Sequence, residues 1–461
     1  MFLFCAFSSE KKYDLTSLSI RQCQLSCQYC QSKLSNCVKL QKKTEENQEK
    51  GKLVCLFRKA EKPKTCKNLD LLAVGLIVPL IPSHVRKMGA DLIYVGLLGS
   101  IYAGFQLGSG PVIGSLSDLK GRKNILMLTL LVCAIAYSTL GITNSIVVIL
   151  IIRAVLGVFK QTQMLTKALV PDYEKNEQRQ SAIYGKMAAI SGAGITLGPV
   201  IGGHIAEDNP ENGFTLIAVI VGVCFIANAG LVYFLPKSKR NTKKPKKKIH
   251  GNLFNSLSNS IKQIFIELYK VDWAVYWDIF MFKALIGFAM GVYYSNYSLY
   301  CKTQFNLSPK YIGYVISFQG VVGSISSFFM GYINSYYSHD ADYSLRNFHV
   351  FVLLTISLIG LMLSFSVYIY VIWLIPLAIG NAIGRLVTLE MILKRSHGQH
   401  RGTLIGASNS VRSLSGVVAP MVSGFIGQYV GVPYVIYASL CSTSIGFVLS
   451  YRYRSKSTKV D

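Results

Sequence analysis

The chain has 461 residues, of which 51% are apolar and only 15% charged, with a mean hydropathy of +0.38. Two or three soluble domains of that length would carry more charge, so the composition excludes a soluble protein and indicates a polytopic membrane protein. The net charge of +26 is local, since residues 1–68 hold 14 Lys/Arg against 6 Asp/Glu and residues 237–248 hold eight bases and no acid. Basic runs beside apolar spans face a cytoplasm and its anionic leaflet, and no nucleic-acid-binding module accompanies them, so nucleic acid is not expected as a partner.

Seven of the 11 cysteines, Cys5, Cys23, Cys27, Cys30, Cys37, Cys55 and Cys66, fall in the first 68 residues. Their spacing reads as no disulfide framework. The run Cys23, Cys27, Cys30 resembles the cluster-binding loop of radical S-adenosylmethionine enzymes. Membrane helix rather than a barrel follows it, and thiolates need a folded shell, so coincidence is the reading. Met1 to Phe7 is too short an apolar run for a signal peptide and has no basic region before it.

Twelve apolar stretches follow, near 69–85, 92–115, 124–142, 146–170, 182–205, 214–235, 274–300, 309–333, 347–366, 369–393, 402–430 and 433–452. A crossing needs about 20 mainly apolar residues, so these predict an all-α protein with twelve transmembrane helices in two groups of six. The first is the short one. Its roughly 16 residues reach about 24 Å at 1.5 Å each, which puts Asp70 close to its cytoplasmic end. Residues 1–68 contain no transmembrane-length run, and the reading is that they replace the usual start of this span. The expected divisions are an irregular Cys/Lys-rich segment (1–68), a six-helix bundle (69–236), a basic linker (237–272), a second bundle (273–453) and a tail (454–461).

Loops after the even spans carry Lys120, Arg122 and Lys123, then Lys175 and Arg179, the polybasic run, and Lys394, Arg395 and Arg401. These belong on the cytoplasmic side, with both termini. The opposite loops carry Glu207, Asp208 and Glu211, with Arg86, Lys87, Lys302 and Lys310 as exceptions.

The halves repeat. Tyr94-Val-Gly96 falls on Tyr311-Ile-Gly313 and Gly114 on Gly331, Gly157 falls on Gly380, and Gly185, Pro199 and Gly203 fall on Gly406, Pro420 and Gly424. The offsets differ by only a few residues, as a duplicated bundle requires. Parallel six-span repeats surround an axis along the membrane normal, with a site between them near the midplane.

After the second span stand Gly114, Asp118, Gly121, Arg122 and Lys123, a helix end, a sharp turn and a compact set of charges that can grip a helix end and release it. The fifth span carries Gly185, Gly194, Gly198, Pro199, Gly202 and Gly203. Their intervals lay a small-residue groove along the helix, and Pro199 removes a backbone hydrogen bond. The fourth span begins Arg153-Ala-Val-Leu-Gly157. The loop resembles the G-x-x-x-D-x-x-G-R-K signature of the major facilitator superfamily, the fifth span its antiporter signature, and the fourth its R-x-x-x-G element. The first span, with Asp70, Gly75, Pro79 and Pro82, resembles that of the tetracycline-type drug/proton antiporters of the same superfamily.

That resemblance implies two pseudo-symmetric six-helix bundles, and makes Asp118 a cytoplasmic latch, with Arg122 beside it and Gly402-Thr403 as its partner. The second-half loop keeps only Gly331, so a second latch is not expected. Tetracycline itself is doubtful as solute: the third span has no acid, and the fourth continues Val158-Phe159-Lys160-Gln161 where those exporters are Gly/Ala-rich.

Candidate ionisable residues inside the membrane are Asp70, Arg153, Lys160, Lys167, Lys186, Asp278, Lys283, Arg385, Glu390 and Arg412. Buried charges need a partner or a cavity. Asp70, with Arg153 as its expected partner, is the leading proton carrier, and Glu390 near Arg385 the second. Lys160, Arg385 and Arg412 would suit an anionic solute instead, and spacing leaves solute charge open. No phosphate-cradling loop, zinc-ligand pair or activated nucleophile is present, so no catalytic residue, metal or cofactor is expected. The function expected is secondary transport of a small organic solute by alternating access, with protons as a candidate coupling ion, the bilayer as surroundings and a monomer as the unit. A non-transporting scaffold or sensor with this fold is the alternative.

Overall fold

The structure is a computed structural model that describes residues 69–174, 176–235, 262, 266, 269, 272–337, 340, 342–396 and 401–457. The cysteine run at 23–30, the segment 1–68 and nearly all of the linker 237–272 lie outside the described residues.

Twelve helical bodies occupy the twelve expected positions. The first six are α1 (Leu69–Lys87), α2 (Leu92–Lys120), α3 (Arg122–Ile142), α4 (Ile146–Tyr173), α5 (Glu177–Asp208) and α6 (Gly213–Tyr233). The second six are α7 (Trp273–Ser295), α8 (Pro309–Phe328), α9 (Ser344–Met362), α10 (Val367–Arg395), α11 (Arg401–Tyr429) and α12 (Val435–Ser457). A short helix, Tyr297–Phe305, extends α7. Ten of the twelve are long and apolar enough to cross a membrane by length and composition alone. The two that are not, α8 and α11, are rich in Ser and Gly. They are also the C-terminal helices that pack across the bundle boundary, α11 on α2 and α8 on α5. Helices that must approach another backbone closely trade large apolar side chains for small ones.

Each half has its own core. One cluster of buried apolar side chains runs from Ala73 to Leu235, around Tyr137, Leu126 and Phe225, and a second from Ile279 to Ile436, around Phe282, Phe351 and Tyr370. Outward-facing Ile135, Val147, Ile226, Ile372 and Ile445 are each more than half exposed. Such an apolar belt is untenable in water and natural against lipid.

The bundles meet by reciprocal contacts. A Cβ added to Gly96 on α2 would strike the Pro420 carbonyl of α11, and one on Gly313 of α8 would strike the Pro199 carbonyl of α5. These are the repeat-related residues, so the duplication read in the sequence is also a duplicated interface. Only glycine permits helix backbones this close. Leu92 N donates to Gln428 Oε1 at 3.0 Å and Ser100 Oγ to the Val417 carbonyl at 2.6 Å on one side. On the other, Ser317 Oγ donates to the Thr196 carbonyl, and the Glu207 carboxylate accepts from Ser308 Oγ and, at 3.1 Å, from Lys310 N. All these contacts lie between the helix middles and the end away from the 114–123 loop. Toward the loop end, a Cβ on Gly185 or Gly323 would meet nothing within 4 Å.

Candidate functional site

Helix α4 is not continuous. It breaks between Phe159 and Thr162, where Lys160 (φ −75°, ψ 50°) leaves the helical region. A break at membrane depth survives only if other groups take up the freed backbone atoms. Helix α2 does this: Gln106 Nε2 donates to the Lys160 carbonyl at 3.1 Å and Ser109 Oγ to the Gly157 carbonyl at 3.2 Å. In return Gln161 Nε2 donates to the Gln106 carbonyl at 2.7 Å and to Ser109 Oγ at 2.9 Å. Gly157 admits α2 here, since a Cβ would lie 2.6 Å from the Tyr102 carbonyl.

The break delivers the Lys160 ammonium to Asp70. Lys160 Nζ pairs with Asp70 Oδ1, Thr162 Oγ1 donates to Asp70 Oδ2 at 2.9 Å, and both charged side chains are under 5% exposed. The ammonium also lies 5.1 Å from the Phe225 ring centre. Asp70, in the first turn of α1 as described, is therefore level with the middle of α4, because Lys160 is the fifteenth residue of a 28-residue span. A lone charge at that depth costs roughly 2.5–3.5 kcal/mol, which is why the acid and base are found together.

Arg153 is not the partner of Asp70, as the sequence led us to expect. Its guanidinium lies 5.0 Å from the Tyr102 ring centre, its Nε has no hydrogen-bond partner among the described residues, and it faces a cavity of about 380 Å³ between the bundles. Val78, Ile81 and Leu98 line that cavity from one bundle, and Tyr294, Ile316 and Gln319 from the other. A second cavity of about 270 Å³, in the C-terminal bundle, is lined by Lys283, Arg385 and Arg412. The two share Gly291 and Tyr294, and their combined size is that of a small-molecule site. Glu390 is not at either cavity, and its Oε2 is buried without a hydrogen-bond partner among the described residues.

At the loop end, Arg122 Nε and Nη2 donate to Asp118 Oδ1 at 3.0 and 2.9 Å, and Nη1 to Asp172 Oδ1 at 3.3 Å and to the Ala168 carbonyl. Gly121, at φ 96°, makes the turn that lets Arg122 reach back, a conformation that excludes most side chains. Lys123 donates to the carbonyls of Tyr233, at 2.8 Å, and Leu235. Asp172, at the end of α4, escaped the sequence reading, since nothing in Val170-Pro171-Asp172 marks it as a partner of the loop. Gly402 and Thr403, the expected partner of Asp118 across the boundary, have side chains outside the described residues, and a Cβ on Gly114 would lie 3.6 Å from the Met164 methyl of its own bundle.

The second half has an acid–arginine pair after all, from residues outside the expected loop pattern. Buried Asp340 accepts from Arg346 Nε at 3.1 Å and from the backbone N of Leu345 and Arg346 at the start of α9. Asp278 is likewise structural, accepting from Arg395 Nη1 at 2.7 Å and so joining α7 to α10.

The fifth-span glycines form a two-sided seam. A Cβ on Gly198 would lie 2.6 Å from Gly75 of α1, one on Gly202 would strike the Leu76 carbonyl, and one on Gly203 would lie 2.5 Å from the Pro309 carbonyl of α8. The Gly194 carbonyl approaches Gly75 as well, while a Cβ on Gly185 would meet nothing within 4 Å among the described residues. Helix α5 runs unbroken through Pro199. The pattern thus seats α1 on one face and the opposite bundle on the other.

Comparison with known proteins agrees with this architecture. The family model described as Major Facilitator Superfamily matches residues 66–418 and 285–461. The quinolone resistance protein NorA of Staphylococcus aureus (strain MRSA252) is 23% identical over 364 residues, 77% of this chain and 86% of that protein. The class D tetracycline resistance protein of Salmonella ordonez is 31% identical over 172 residues, 37% of this chain and 42% of that protein. Among solved structures, the human organic anion transporter MFSD10 (TETRAN) superposes with a TM-score of 0.59 at 18% identity, covering 86% of this chain and 99% of that one. The two helical bundles, the loop and fifth-span signatures and the family match together make the chain a multi-pass membrane transport protein belonging to the Major Facilitator Superfamily.

Proposed function

We propose that the chain is a secondary transporter that moves a small organic solute by alternating access, exchanging it for protons. The observation that carries this reading is a cavity between the bundles, adjoined by a second in the C-terminal bundle, with the bundles touching through α2–α11 and α5–α8 from their middles to one end. Rocking about those helices would close the loop end and open the other. The base-rich loop end is the cytoplasmic one, and both termini lie on that side. Relatives named for quinolone and tetracycline resistance support an organic solute, and the resemblance of the first and fifth spans to drug/proton antiporters supports proton exchange.

The Asp70–Lys160–Thr162 cluster is the coupling element. Protonating Asp70 cancels its charge, frees the Lys160 ammonium and so couples proton binding to the break in α4 and to α2 across it. The Asp118–Arg122–Asp172 cluster is the cytoplasmic latch. Purified full-length protein in liposomes tests both assignments: a pH gradient should drive solute accumulation in wild type, and Asp70→Asn and Asp118→Ala should abolish it. The Asp118 carboxylate is about half exposed, so its loss should cost no more than about 1 kcal/mol of stability. Accumulation that is independent of the gradient, or that survives both substitutions, would contradict the assignment.

A further inference from the structure

Three cations of the helical body pair with buried acids: Lys160 with Asp70, Arg346 with Asp340 and Arg395 with Asp278. The cavity of the C-terminal bundle breaks that pattern. Lys283 of α7, Arg385 of α10 and Arg412 of α11 line it together, and no carboxylate is among its lining residues. Among the described residues none of the three forms an ion pair, and Arg385 Nε donates at 3.3 Å to a carbonyl of its own helix, that of Asn381. Lys283 and Arg412 lie close enough for their charges to act on one another, and so do Arg412 and Arg385. Three like charges held around one space by three different helices repel one another, and an anion placed there turns that repulsion into attraction. The donors that remain free are those that match carboxylate, sulfonate or phosphate oxygens.

The adjoining cavity has a different character. Val78, Ile81, Leu98 and Ile316 give it apolar walls, and its one charged residue is Arg153. Tyr294 and Gly291 line both spaces, so the two adjoin at these residues.

We propose that the transported solute is an amphipathic organic anion whose acidic group sits among Lys283, Arg385 and Arg412 while its apolar body lies in the neighbouring cavity against Tyr294. The proposal rests on the transporter reading for its biological sense, but the anion site can be tested without transport.

Full-length protein in phosphatidylcholine nanodiscs is titrated with carboxyfluorescein, an aromatic carboxylate, and with rhodamine 123, a cation of similar size, and fluorescence anisotropy is read. Carboxyfluorescein should bind to wild type, and Lys283→Gln and Arg412→Gln should each weaken it about tenfold or more. Arg412→Lys should retain part of the affinity, which separates lost charge from lost fold, and Lys262→Gln, on an exposed linker residue, should change nothing. No binding of carboxyfluorescein, equal or tighter binding of rhodamine 123, or unchanged affinity in both Gln variants would each overturn the proposal. Displacement of the probe by phosphatidic acid added to the disc, at the bilayer's own concentration, would overturn the solute assignment in favour of a lipid headgroup. Carboxyfluorescein binding that needs these residues, without gradient-driven uptake in liposomes, would sink the transporter reading and leave the anion site. Uptake of a cationic drug that survives Arg412→Gln would do the reverse.

Discussion

A lysine ammonium buried at a helix break keeps its charge only against an acid, and Asp70 supplies one from another helix. Removing one member of a buried pair strands the other, at a cost of about 3–5 kcal/mol. Lys160→Gln should therefore lower the thermal midpoint of the purified protein sharply, and the double variant Asp70→Asn/Lys160→Gln should recover much of that loss without recovering coupling. Equal midpoints for wild type and Lys160→Gln would show that the pair does not hold the fold. The sequence made Asp70, Arg153 and Lys160 visible as ionisable residues at membrane depth, but not their pairing. Asp70 and Lys160 are 90 residues apart, and the pattern around Arg153 made it the more plausible partner. The choice was settled by the break in α4, which no Pro or Gly at Lys160-Gln161 announces. Its stability comes from Gln106 and Ser109 on α2, a tertiary cause with no local signature.

At the level of helices, the repeat makes a sharper prediction than either half alone. Gly96 faces Pro420 and Gly313 faces Pro199 in equivalent places, so Gly96→Val and Gly313→Val should push the same interface apart from its two sides. Both should reduce, to a similar degree, the disulfide formed between cysteines placed at Leu92 and Gln428 in a background without native cysteines. An unchanged yield in both would mean that these contacts do not set the bundle interface. The spans and their duplication were legible because length and apolarity are local properties of a membrane helix. The acid–arginine pair before α9 was not, because Asp340 and Arg346 lie beyond the window in which the loop pattern of the first half looks for them. Asp172 was hidden for a related reason, since its partner Arg122 lies 50 residues upstream, on the preceding helix.

For the whole molecule, the proposed mechanism draws on two separate cores joined mainly by small-residue helices, an arrangement that would let the halves rock without unpacking either one. Large cores resist deformation, whereas glycine-lined seams with few interlocking side chains can slide or part at low cost. Cations without ion-pair partners on the C-terminal wall and a paired acid on the N-terminal wall would then meet solute and proton in turn as the cavity changes sides. The measurement that tests this most directly is electron–electron distance spectroscopy on the reconstituted protein with two label pairs. One pair, at Leu119 and Phe328, reports the loop end, and the other, at Ser145 and Lys302, reports the opposite end. The account predicts that, between acidic and alkaline buffer or on adding solute, one distance shortens as the other lengthens. Two distances that stay fixed under every condition, or that change together, would contradict it.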